Sequence, residues 1–322
     1  MPEKATRRRR RGNPYAGLIH LLNRRYHEQW QRAELLQNDV NNLTNSKFAR
    51  AAEWLRRLCR WLIPHPAERP KFFLEQAEVY RAQEYPVPDA RVSVVIPFRD
   101  RHELLANCLR SLKRSTFPSV ELVLVDNGST DPRTDRLLAR VRRRPDVRAV
   151  TCSGPFNFSR LCNAGAHAAT GDHLVFLNND VEVLTPDWLE RMLALGADPA
   201  VGVVGATLLY PDRTIQHAGL LPRSDGMWVH AHRGLPATHP GDAGELRETR
   251  SVPAVTAACL LVRRNLFERV GGFDENLPLT FNDVDFCRRV RAIGRKVLVT
   301  PRARLIHYEG LSRGFAVDAP GG

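Results

Sequence analysis

The chain has 322 residues, 43% of them hydrophobic and 26% charged, the balance of a globular protein with room for one large domain and an appendage. Lys and Arg number 48 against 35 Asp and Glu, and the net charge of +13 suits an anionic partner, whether nucleic acid, an anionic membrane surface or a phosphate-bearing substrate. The six cysteines are scattered without a CxxC pair or a Cys-His cluster, which argues against a zinc site or a disulfide framework and fits a reducing cytosol.

Residues 1–13, MPEKATRRRRRGN, read as a disordered basic tail, since five consecutive arginines repel one another. Residues 14–70 read as a helical extension closed by a linker at Pro64, Pro66 and Pro70. Within it, AAEWLRRLCRWLI sets Trp54, Leu55, Leu58, Trp61 and Leu62 against Arg56, Arg57 and Arg60. Such a basic amphipathic helix either packs on protein or lies on an anionic lipid surface. No uncharged apolar run approaches the roughly 18–20 residues that span a bilayer, and the N-terminus lacks the apolar region of a secretory signal. The expected location is cytoplasmic, with peripheral contact on the inner face of the membrane as a further option.

From residue 91 the texture changes. VSVVIP (92–97), VELVLVD (120–126), VRAVTC (147–152) and DHLVFLN (172–178) read as strands. ELLANCLRSLKRS (103–115), RTDRLLARVRRR (133–144) and SRLCNAGAHAA (159–169) read as the helices between them. This alternation predicts an α/β fold with a doubly wound, parallel sheet. Ligands of such sheets sit at the carboxyl ends of the strands, here Pro97-Phe98-Arg99, Asp126-Asn127-Gly128 and Asn178-Asn179-Asp180. Thr185-Pro186-Asp187-Trp188 predicts the next helix, with Pro at its first position. The stretch 212–250 is rich in Gly, Pro, His and Arg without periodicity and reads as loops, SVPAVTAACLLV (251–262) reads as one buried strand, and 315–322 as a loose tail.

Four places in this scheme carry chemistry. Asp126 could accept hydrogen bonds from a base or a ribose, although DNGSTD also suits a plain Asx turn. A hard cation wants oxygen ligands and shares phosphate oxygens, so Asp180, with Glu182 beside it, suits Mg²⁺ or Mn²⁺ with a diphosphate, and Asn179 could donate to a sugar hydroxyl. In FNDVDFCRR, Asp283 is the candidate general base and Asp285 a structural acid at a helix start. His307, after the strand pattern VLVTPRARLIH, is either another metal ligand or an ordinary histidine.

Several motifs occur in fixed order over residues 91–314: VSVVIPFRDR, ELVLVDNGSTD, FNFSRLCNAGAHAATGDHLVFLNNDVEVLTPDWLERM, TIQHAG, VTAACLLVRR, VGGFDENLPLTFNDVDFCRRVRAIG and LIHYEGLSRG. This ordered set resembles glycosyltransferase family 2, inverting enzymes of GT-A fold. It is most similar to the branch of rhamnosyltransferases and other enzymes of bacterial surface polysaccharide assembly, of O-antigen or rhamnan type. The resemblance implies a Rossmann-like, mostly parallel sheet, a nucleotide-sugar donor (UDP-, dTDP- or GDP-linked), a glycan or lipid-linked glycan acceptor, and a divalent cation, Mn²⁺ or Mg²⁺. It implies that Pro97, Arg99 and Asp126 line the nucleotide pocket, that Asn179 meets the ribose, that Asp180 and His307 hold the metal, and that Asp283 is the base. On that mechanism the 212–250 loops, with His217, His230 and His232, are expected to shape the acceptor side. Two positions depart from the family pattern: the DxD-like triplet reads Asn178-Asn179-Asp180, and the Glu-Asp motif reads Asn282-Asp283. The rival classes are a protein that binds a nucleotide sugar without turning it over and a nucleic-acid-binding protein. The latter lacks aromatic platforms or a reading module. A nucleotidyltransferase is disfavoured because IPFRDR carries no Gly-rich phosphate loop.

Overall fold

The computed structural model describes residues 78–80, 86–223, 227–241 and 244–308. The basic tail (1–13), the whole of the extension and linker (14–70), the 309–314 part of LIHYEGLSRG and the loose tail (315–322) were assigned from sequence and lie outside these residues, as does the Trp54–Leu62 amphipathic stripe.

After a two-residue edge strand, β1 (Glu78–Val79), come β2 (Val92–Phe98), α1 (His102–Leu112), β3 (Val120–Asp126), α2 (Pro132–Val141), β4 (Val147–Thr151), α3 (Phe158–Ala168) and β5 (His173–Leu177). Every residue of β2 and β5 is buried, as strands covered by helices on both faces must be. Local chemistry sets the helix starts. Asp131 accepts the Arg133 N–H and Pro132 takes the first position of α2, while Asn157 accepts the Arg160 N–H ahead of α3. These four strands pair in the order β5-β2-β3-β4, all parallel.

The second half contains β6 (Val181–Val183), α4 (Trp188–Gly196), β7 (Val201–Leu209), β8 (Ile215–His217), β9 (Leu220–Pro222), β10 (Trp228–His230), β11 (Arg250–Ser251), β12 (Cys259–Arg263), α5 (Arg264–Arg269), α6 (Asn282–Ala292) and β13 (Lys296–His307). β12 lies antiparallel between β5 and β7, and β13 runs parallel to β7. One mixed sheet results, ordered β1-β11-β13-β7-β12-β5-β2-β3-β4, whose long strands all point one way except β12.

Two cores flank this sheet because successive strand residues face opposite sides. On one side Val92, Val94 and Ile96 meet Leu105 and Leu109 of α1, Leu137 of α2, and Trp188 and Met192 of α4. On the other, Val95, Val123 and Val125 meet Leu161 and Cys162 of α3, with Phe267 and Phe286 from α5 and α6. The α3 helix approaches closely enough that a Cβ on Gly165 would stand 2.3 Å from Val95 Cγ1 and 2.8 Å from Val125 Cγ2. Gly165→Ala is therefore expected to lower stability by about 1–3 kcal/mol through overpacking, measured as a fall in the denaturant midpoint at unchanged slope.

Three sequence expectations are corrected. The 251–262 stretch is not one strand: it ends β11, crosses the sheet edge and begins β12 only at Cys259. Pro253 has no N–H to give a ladder, and the Leu220 N–H bonds to Ala254 O at 2.8 Å instead. The 212–250 stretch contains β8, which pairs with β7, and the β9–β10 hairpin; strands of three residues are too short to show periodicity. Helix α4 starts at Trp188, with Thr185 and Pro186 outside it. The Leu184 and Thr185 N–H groups bond to Arg304 O, each at 3.2 Å, which holds that segment on β13 in place of a helical turn.

Candidate active site

Parallel pairing brings the carboxyl ends of β2, β3 and β5 to one edge of the sheet, and β13 delivers its last residue, His307, to the start of β6, where it faces Val181. This register sets His307 beside Asp180. Nε2 of His307 lies 3.1 Å from Asp180 Oδ1, and the Tyr308 N–H bonds to Asp180 O at 3.0 Å. Asp180 is 2% exposed and His307 8%. The Asn178 amide is also 3.2 Å from His307 Nε2. A carboxylate oxygen and the bare nitrogen of a neutral imidazole are both acceptors, so a 3.1 Å approach needs a proton or a cation between them. That donor set fits a divalent cation. Among the described residues no third His, Cys, Asp or Glu completes a cluster around them. The rest of a coordination sphere is thus left to water and substrate oxygens, the usual arrangement for Mg²⁺.

Glu182 does not join this pair, contrary to the sequence expectation. Its Oε1 is 3.1 Å from Arg114 and its Oε2 accepts the Tyr308 hydroxyl at 2.9 Å. Val181 and Val183 face the core, and strand alternation turns Glu182 the other way. Asn179, 3% exposed, has an Nδ2 with no hydrogen-bond partner among the described residues. A buried amide donor of this kind at a strand end is a position for a ligand acceptor.

At the neighbouring strand end Asp126 sits in the Asx turn that DNGSTD suggests. Its Oδ1 accepts the Ser129 N–H at 2.9 Å and the Ser129 hydroxyl at 2.6 Å. The turn engages Oδ1 alone and leaves Oδ2 to other donors. Pro97 is buried beside it and Arg99 is exposed. Asp100 and Arg101 then take left-handed backbone conformations, φ 51° and 49°, costly for residues with a Cβ. The Asp100 side chain holds them by accepting the Thr130 and Asp131 N–H groups, both at 2.8 Å. Strain maintained in this way is characteristic of functional loops.

Asp283 lies in the first turn of α6. Its Oδ1 accepts the Val284 N–H at 2.8 Å and its Oδ2 the Ala257 N–H at 3.4 Å. It is half-buried by exposure yet closely surrounded, and this burial pushes its carboxyl above the usual range, with hydrogen bonds from Val284, Ala257 and Thr256 pulling the other way. Asp285 is turned to Arg289, 2.7 Å away at i+4. Phe281, the residue before α6, combines φ 64° with 42% exposure.

Asp283 connects to the Asp180–His307 pair through Gln216 and Thr256, which sequence reasoning left unassigned, and through His217, which it set on the acceptor side. Nδ1 of His307 is 2.7 Å from Gln216 Oε1. His217, next in the chain and fully buried, accepts the Thr256 N–H at its Nε2 over 3.4 Å and lies 3.0 Å from His230 through the Nδ1 atoms. Burial first, then the nearby His230, Arg250 and His307, hold its imidazole well below the usual range, so it stays neutral. Ala257, which bonds to Asp283, follows Thr256, and Ala258 O accepts the Asn178 N–H at 3.1 Å. The irregular 252–258 crossing, read from sequence as strand, is therefore what ties the two ends of the site together. The signal that could have found Gln216 and His217 is TIQHAG (214–219), where two polar side chains stand consecutively beside apolar ones.

This mixed, mostly parallel sheet flanked by helices is the GT-A fold. The solved structure of GalNAc-T7 with UDP, GalNAc and Mn²⁺ has the same fold, with a TM-score of 0.58 at 18% identity, over 68% of this chain and 43% of that one. Residues 93–271 match the family described as Glycosyl transferase family 2, and the chain belongs to that family. It is 40% identical over 237 residues to the O-antigen biosynthesis protein RfbC of Myxococcus xanthus, which covers 73% of this chain and 18% of RfbC. It is 28% identical over 229 residues to the N-acetylglucosaminyl-diphospho-decaprenol L-rhamnosyltransferase of Mycobacterium tuberculosis, over 65% of this chain and 73% of that enzyme. The chain thus spans less than a fifth of RfbC. Among the described residues no helix is long and apolar enough to cross a membrane.

Proposed function

We propose that this chain transfers a sugar from a nucleotide-diphosphate donor to an acceptor hydroxyl, with inversion, in the assembly of a bacterial surface polysaccharide. The observation that carries this reading is the path from Asp180 through His307 and Gln216, then through its chain neighbour His217 to the Thr256 N–H, and from the adjacent Ala257 N–H to Asp283. It ties a cation-type donor pair at the strand ends to a half-buried carboxylate in the first turn of α6, which is what an activated sugar between them requires.

Asp283 Oδ accepts the proton of the acceptor hydroxyl. The freed oxygen attacks the anomeric carbon from the face opposite the diphosphate, the bond from that carbon to the diphosphate oxygen breaks, and the nucleoside diphosphate leaves with the electron pair. Burial suits Asp283 to this role, because a raised carboxyl is a stronger base while it remains ionised. Asp126 Oδ2, Pro97 and Arg99 take the nucleoside side, and the unsatisfied Asn179 amide donates to the ribose. Asp180 and His307 hold a divalent cation, Mn²⁺ or Mg²⁺, whose bound charge stabilises negative charge growing on the diphosphate. Arg99 and Arg101, both exposed at the end of β2, add positive charge there.

The name of the mycobacterial relative supports a lipid-linked glycan acceptor, and with such an acceptor the chain would work at the cytoplasmic face of the membrane in peripheral contact. The test is a panel of UDP-, dTDP- and GDP-sugars with Mn²⁺. One donor at 100 times its Kd is expected to stabilise the fold by about 2.7 kcal/mol, read as a rise in melting temperature, and to yield product with an acceptor. Stabilisation without product from any acceptor would leave a binding protein, and no response from the whole panel would remove the reading.

A further inference from the structure

We propose that Gln216 is the positioning residue of the cation site, fixing both the orientation and the tautomer of His307. This rests on the reading of Asp180 and His307 as cation ligands. Gln216 is 3% exposed and makes two contacts to one residue. Its Nε2 donates to the backbone oxygen of His307 at 3.2 Å, and its Oε1 faces His307 Nδ1 at 2.7 Å.

These contacts determine the protons. A backbone carbonyl only accepts, so the end of the Gln216 amide facing it is the nitrogen. The other end is then the oxygen, and the ring nitrogen 2.7 Å from it must donate. Nδ1 therefore carries the N–H, and in the neutral ring the lone pair is on Nε2. That is the nitrogen 3.1 Å from Asp180. A metal-binding histidine needs its other ring nitrogen held in this way. The need is acute here, because His307 is the last residue of β13 and, among the described residues, a single carboxylate stands beside it.

The backbone shows how Gln216 reaches that position. β8 pairs with β7 through Leu208↔His217 and Leu209↔Ile215, with a register shift between them. Two adjacent residues of β7 thus oppose two of β8 that are separated by Gln216, which is the extra residue of a β-bulge. Bulges re-aim side chains that alternation would send elsewhere. This one lets Gln216 serve His307 while His217, next in sequence, serves the loop beneath Asp283.

The test uses the full chain with Mn²⁺ as the probe, its free fraction read by electron paramagnetic resonance, together with imidazole ¹⁵N shifts of the metal-free protein. Gln216→Met keeps length and removes both hydrogen bonds. It is expected to weaken Mn²⁺ binding by about 10- to 100-fold and to convert His307 from the single Nδ1–H form to a mixture. A merely structural role would lower the melting temperature and leave the tautomer alone. Unchanged Mn²⁺ affinity in Gln216→Met, while His307→Ala loses it, would overturn the proposal, as would an Nε2–H tautomer in the unaltered chain. Unchanged affinity in His307→Ala instead removes the cation reading, and the ¹⁵N shifts still decide the tautomer.

Discussion

Asp283→Asn is expected to lower the rate of sugar transfer by about 10²- to 10⁴-fold, the usual contribution of a positioned base, while nucleotide-sugar binding stays within a few-fold. The substitution is a clean probe for a physical reason. In the folded chain this carboxyl holds its proton more tightly than its usual value of 3.8, so ionising it costs folding stability, and its contribution falls as pH rises above that value. Asparagine removes the cost and can still accept the Val284 N–H at the position of Oδ1, although it loses the longer bond from Ala257. At neutral pH the melting temperature should therefore change little. In the unaltered enzyme, kcat should fall on acidification at a higher pH than an ordinary aspartate would give. Full transfer activity in Asp283→Asn would remove the residue from the base role.

The second large effect is expected at Asp180. Asp180→Ala leaves His307, among the described residues, without a carboxylate partner for the cation, and Mn²⁺-dependent donor binding should be lost at concentrations that saturate the unaltered chain. Donor binding measured by calorimetry with and without Mn²⁺ separates this from a general loss of the pocket: the metal-independent part should persist through Asp126 and Asn179. A metal titration that matches the unaltered protein would show that the carboxylate at 180 is not a ligand. Asp180→Asn is the gentler companion, since it keeps the volume of a side chain only 2% exposed and removes the charge.

The two departures from the family pattern bear on these expectations. With Asn178 where a first carboxylate would stand, the site holds one formal charge, and the Asn178 amide contacts His307 Nε2 at 3.2 Å. Glu182, next but one to Asp180, does not compensate, because Arg114 and Tyr308 hold it. Asn282, beside Asp283, is 4% exposed; its Oδ1 accepts the Asp283 N–H at 2.8 Å and its Nδ2 donates to Leu277 O at 3.3 Å. A neutral side chain there braces the turn before α6 without adding a like charge next to Asp283.

The sequence by itself determined the α/β alternation and the strand ends, and it carries the short polar residues, Asp131 and Asn157, that the structure shows starting α2 and α3. These follow from local rules: apolar runs of strand length, helical spacing of Leu and Cys, and short polar side chains that cap the next turn. Asp126, Asn179 and Asp180 were legible for the same reason, since polar residues ending a buried strand mark where a sheet opens to ligand. Only the tertiary structure decided which distant residues meet. Asp180 and His307 are joined because β13 crosses back antiparallel to β6, a pairing over more than 120 positions of sequence that no local pattern encodes. The placing of Gln216 depended on a one-residue bulge in a three-residue strand, where periodicity has nothing to count. The break of 251–262 at Pro253 came from competition for hydrogen bonds with Leu220, a partner the sequence could not name. Side-chain chemistry can be read along the chain, but a site is a set of distances between its parts, and those were set by strand register and packing across the sheet.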